Sequence, residues 1–178
     1  MSGFITCKIP MEMKSSLFFS ADEAKLSSVL LKEWTITRGA PFFPYELLYW
    51  NDLDGYRPWE DPGKPIEELL CQWEAIQAEA GGLFAERKAQ EAEELMKEGL
   101  SIYLSILFWM HNGPVGLRDW KDKLEEFSYK PVNSEERLSF IFSRPALYHS
   151  FVQLSQLFTE LKKLYSKMKI ISKKTSKH

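Results

Sequence analysis

Only two cysteines, Cys7 and Cys71, occur in 178 residues, and they form no CxxC pair. That argues against a disulfide scaffold and predicts a reducing compartment, the cytoplasm. Histidine is almost as scarce, with His111, His149 and His178. Three residues before His111 stands Phe108, and three before His149 stands Ala146, so the ExxH pairs of carboxylate-bridged di-iron bundles are missing. There is also no HExxH, no glycine-rich phosphate motif and no zinc spacing. No metal, cofactor or catalytic residue is expected. The longest apolar segment, Leu100 to Met110, is about half the length of a membrane-spanning helix, and MSGFITCKIPMEMKSS lacks the plan of a signal peptide, so no membrane association is expected. Internal repeats and useful lengths of strand-like alternation are absent too.

What the chain has is charge asymmetry and helical periodicity. From Glu46 to Glu98 there are 14 acidic and 5 basic residues, whereas Lys162 to His178 holds 7 lysines and no acid. The overall net charge of −2 gives no support to a dedicated nucleic-acid binder, although the lysine-rich tail offers a phosphate tether.

Ser20 followed by Glu23 has capping-box spacing, and Leu26, Val29, Leu30 and Trp34 repeat at helical intervals, predicting a first helix over 21–34 after an irregular start. Residues 39–65 are dense in aromatics and carry five prolines. They predict an ordered loop around a short helix at 45–50. Ile66, Leu69, Leu70, Trp73, Ile76 and Ala80 mark a helix from Pro65 that passes Gly81-Gly82, with Cys71 on or beside its apolar stripe as an inert thiol. A helix over 90–111 begins acidic and ends apolar all round, a core helix stopped by Asn112-Gly113-Pro114. A short helix over 117–127 follows.

Asn133 with Glu136 sets a second capping box, and the last helix is predicted from Pro145 to about Lys169. In it Leu147, Phe151, Leu154, Phe158, Leu161, Tyr165 and Met168 make a heptad seam. This seam is read as the core face of an intramolecular bundle, hence a monomer rather than a zipper dimer. The fold class is thus all-α: one helical domain over 1–168 with about five to seven helices and a long aromatic, proline-rich ordered loop, then a basic, disordered tail over 169–178.

The densest polar cluster lies between Lys130 and Phe158, and the candidate binding residues are Arg137, Arg144, Tyr148, His149 and Gln153. At 100° per residue His149, Gln153, Gln156 and Glu160 share the face opposite the seam. Two guanidiniums, a helix start and an imidazole suit an anion; alternatively the same groups tie two helices and the acidic region together. The leading expectation is a non-enzymatic cytosolic interaction module that presents this surface, or the aromatic loop 42–59, to a protein partner. A DNA-associated accessory using the lysine tail and an enzyme acting on an anionic small molecule are the rivals.

KPVN at 130–133, ERLSF at 136–140, SRP at 143–145, LYHSF at 147–151 and QLSQLF at 153–158, with LFWMHNGPV ahead of them, resemble the YpoC-like family of small proteins from Bacillus and relatives. The resemblance implies no catalytic residues. Through gene neighbourhood with a replication-initiation protein and a DNA-repair endonuclease, it implies an association with chromosome maintenance.

Overall fold

A computed structural model describes residues 3–177, and His178 lies outside the described residues. The first difference from expectation comes early. Strands β1 (Phe4–Lys8) and β2 (Glu23–Ser27) pair antiparallel, Phe4 opposite Ser27 and Lys8 opposite Glu23. The expected helix over 21–34, and the expected lack of strands, are both corrected. In β2 Ala24 and Leu26 are buried while Glu23 and Lys25 are exposed, the two-residue period of a half-buried strand. Ser27, not Ser20, is the cap: its hydroxyl accepts from the Val29 N–H at the start of a single 3₁₀ turn, Ser28–Leu31.

Six helices follow: α1 (Pro44–Trp50), α2 (Gly63–Ala85), α3 (Ala89–Trp109), α4 (Trp120–Glu126), α5 (Ser134–Ser143) and α6 (Tyr148–Thr175). Among the described residues the fold is therefore mostly helical with one two-stranded sheet. Helix α2 runs unbroken through Gly81-Gly82. A three-residue reversal with Arg87 at φ 61° then folds α3 back on it. From Glu98 to Trp109 every residue of α3 is buried, because α2 covers one side of it and α6 another.

The three helices come closest at Gly99. A Cβ there would lie 2.5 Å from Trp73 Cζ3 and 3.3 Å from Leu154 Cδ2, so a hydrogen is all the position can hold. Trp73 stacks on Phe158 at 4.1 Å, and Phe158 meets Tyr103 edge-on at 5.3 Å. Of the seam, Leu154, Phe158, Leu161 and Tyr165 are buried within the bundle with Leu157 beside them, Phe151 and Met168 are half-buried, and Leu147, just ahead of the helix, is 41% exposed. Helix α6 does not stop near Lys169. It continues to Thr175, so the first part of the segment expected to be disordered is helical.

The proline-rich loop belongs to the core. Phe42, Phe43, Tyr45 and Trp59 are buried, Phe18 meets Phe42 and Phe43 edge-on, and Trp50 Nε1 donates to Val115 O at 2.9 Å. The loop thereby fixes α1 between the strands and α3, and no aromatic patch is displayed by these four residues.

Candidate functional site

At the junction of α5 and α6 the five predicted residues separate into two groups. Arg137 leans across from α5 and grips Glu160 of α6 through both guanidinium ends, each at 2.9 Å. Its Nε donates to Gln153 Oε1 at 3.1 Å and Nη1 to Val132 O at 3.1 Å. A bidentate charge-assisted pair of this kind is directional and strong for its exposure. His149 joins the edge of the same groove, ring edge to Phe140, with Nε2 3.5 Å from Gln153 Nε2. Arg137, His149, Gln153 and Glu160 are thus together, and the guanidinium is already matched by a carboxylate. The second capping box does not form: Asn133 sits at φ 56° without a side-chain cap, and the Ser134 hydroxyl turns back to Pro131 O.

Arg144 and Tyr148 are elsewhere. Arg144 is exposed, and only its backbone is engaged, its carbonyl accepting from the Ser150 hydroxyl. Tyr148 is 62% exposed and rests against Phe84 and Phe151. His111 is spent structurally. The Tyr129 N–H donates to Nε2, so Nδ1 carries the proton and donates to Leu107 O, while the ring stacks on Phe127 at 4.1 Å. Burial holds its pKa below the ordinary imidazole value. Cys71 is exposed, beside the α2 stripe rather than on it.

Two further features go beyond the sequence reading: exposed isoleucines within the lysine-rich tail already noted, and a cavity. On the last turns of α6, Lys162, Lys163, Ser166, Lys167, Ile170 and Ile171 form a continuous strip. Ile170 is 57% and Ile171 43% exposed. Lys162 and Lys169 reach Glu74 and Glu67 of α2 at 3.4 and 3.5 Å, whereas Lys163, Lys167, Lys173, Lys174 and Lys177 have no ion pair among the described residues. Those two acids interrupt any positive stripe running from α6 onto α2.

The second feature is a small cavity of about 40 Å³ beneath the proline-rich loop, lined in part by Trp34, Tyr45, Glu46, Gln72, Glu98 and Trp109. Glu46 is 1% exposed; its Oε1 accepts from Trp109 Nε1 at 2.7 Å and from the Val115 N–H at 3.3 Å. Burial nonetheless pushes its pKa up to about 7. Glu98 accepts from Arg38 Nε at 2.6 Å and Gln72 Nε2 at 3.0 Å. The signal available in sequence was positional only: Gln72 stands beside Trp73 of the α2 apolar stripe, and Glu98 opens the apolar stretch of α3.

The family model described as YpoC-like protein matches residues 63–173. The uncharacterized protein YpoC of Bacillus subtilis (strain 168) is 40% identical over 119 residues, which is 66% of this chain and 72% of that protein. No solved structure matches. The chain belongs to the YpoC-like family.

Proposed function

We propose, from the premise that this is a YpoC-like protein, that it works as a non-enzymatic cytoplasmic interaction module and docks a protein partner on the last turns of α6. The observation that carries this reading is the exposure of Ile170 and Ile171 beside Lys163 and Lys167, which have no ion pair among the described residues, while Lys162 and Lys169 reach acids of α2. Apolar surface rimmed by one sign of charge suits a partner segment that is amphipathic and acidic, which covers the isoleucines while pairing with the lysines. DNA would use the lysines but leave both isoleucines in water. An enzyme acting on an anion draws little support: Arg137 is neutralised by Glu160, both His111 nitrogens face backbone groups, and Arg144 does not line the groove that holds His149.

The test is a pull-down from native lysate at low and high salt, comparing the wild-type chain with an Ile170→Ser, Ile171→Ser variant by mass spectrometry and nucleic-acid staining. A protein partner that resists salt and is lost from the variant, at unchanged melting temperature, supports the reading. Nucleic acid alone, released as salt rises and insensitive to the isoleucines, makes the lysine-tethered DNA accessory the better account.

A further inference from the structure

The cavity under the proline-rich loop has an imbalance of hydrogen-bonding groups. Its N–H donors are engaged: Trp109 Nε1 by Glu46, Trp34 Nε1 by Glu68 at 2.6 Å, and Gln72 Nε2 by Glu98 and by Thr37 O at 2.9 Å. The hydroxyl protons of Ser101 and Ser105 are engaged as well, donated to the Glu98 and Ser101 carbonyls. Acceptors are left over. Gln72 is only 7% exposed, and its Oε1 has no hydrogen-bond partner. Both serine oxygens keep free lone pairs, and the Glu46 carboxylate meets two N–H groups but no cation. An orphaned buried carbonyl costs about 1 to 3 kcal/mol unless something donates to it.

Aromatic rings form much of the remaining wall. Trp34 stacks on Tyr45 at 5.3 Å and meets Trp109 edge-on at 5.7 Å, and all three rings line the cavity. The negative face of an aromatic ring attracts a cation, more strongly once both are out of water. Arg38 is the one cation at this place among the described ion pairs; it lies half-exposed and is paired to Glu98 and Glu79, which leaves Glu46 without a counter-charge.

From these three features together, surplus acceptors, aromatic walls and an uncompensated carboxylate, we propose that the cavity is a binding site for an ammonium group, as free ammonium or the head of a short primary amine. Such a guest brings three or four N–H donors and no acceptor, which matches a lining whose unengaged polar atoms are acceptors. Water fits less well, because its own lone pairs meet no free N–H donor among the indole and amide groups named above. A volume of about 40 Å³ admits about three water-sized groups, which limits the guest to one or two carbons.

The test is thermal unfolding of the full chain in ammonium, methylammonium, potassium, sodium and tetramethylammonium chloride at matched ionic strength. Ammonium or methylammonium at about ten times its Kd should raise the melting temperature by about 3 to 6 °C, while the other three salts should not. In Gln72→Met that selective rise should be lost. Equal stabilisation by potassium, no selectivity in the wild-type chain, or a selective rise that survives Gln72→Met each overturn the proposal. The wild-type series stands by itself should the variant fail to fold.

Discussion

The two polar clusters of this protein, one at the α5–α6 junction and one under the proline-rich loop, handle charge in opposite ways. At the junction Arg137 and Glu160 face each other through two short hydrogen bonds, with Gln153 and Val132 O taking two more of the guanidinium donors. Under the loop Glu46 is fully enclosed and held by neutral N–H groups alone, while Gln72 Oε1 is left over. The junction is a clasp, satisfied within the protein. The enclosed cluster retains capacity for something else, and the contrast locates that capacity in a buried gap under the loop rather than where the polar residues are most numerous.

The largest expected effect comes from the seam on which both clusters hang. Phe158 stacks on Trp73 of α2 and meets Tyr103 of α3, two residues from Glu160. Phe158→Ala should cost about 3 to 5 kcal/mol in chemical unfolding, because it opens a cavity between three helices. A loss below about 1 kcal/mol would show that α6 is not held by this seam, and both clusters would need another account.

Glu46 gives the next effect and the sharpest contrast with the clasp. Its folded-state pKa of about 7 lies above the ordinary 4.5. Between those values the folded chain binds more protons than the unfolded one, so stability is greatest below about pH 4.5, falls as pH rises toward 7, and is level beyond it for this group. The total loss should be about 3 kcal/mol. Glu46→Gln should abolish that slope in a pH series of unfolding curves. An identical slope in the variant would mean that Glu46 titrates normally and that the cavity carries its charge without cost.

How much of this was legible in the residues depended on whether a pattern had one reading. Helices α2 and α3 follow from long apolar periodicities that only a helix satisfies, and their ends fall close to the expected ones. Strand β2 did not follow, because Leu26 and Leu30 are four apart and a five-residue alternation is too short to overrule a helical spacing. The burial is set by a tertiary contact, the pairing of β2 with β1. At the candidate site the shared face of His149, Gln153 and Glu160 was readable from the geometry of one helix, whereas Arg137 was near them only along the chain. Glu160 was placed on the correct face, yet its bidentate grip on Arg137 depends on how α5 crosses α6, which no local pattern encodes. Glu46, Gln72 and Glu98 come from three separate segments, and only packing brings them beneath one loop.

The smallest effects separate the two arginines. Arg137→Ala breaks the bidentate pair and leaves Glu160 partly exposed, so water takes over part of the lost bonding. The cost should be about 1 to 2 kcal/mol, below that of stranding a fully buried charge. Arg144→Ala removes an exposed side chain that makes no hydrogen bond or ion pair among the described residues, and it should change stability by less than about 0.5 kcal/mol. Unfolding curves for the two variants decide whether the clasp is one residue or two. A cost at Arg144 equal to that at Arg137 would join it to the junction after all. A cost near zero at both would mean that the α5–α6 contact rests on apolar packing, with Arg137 and Glu160 as a surface pair of little consequence.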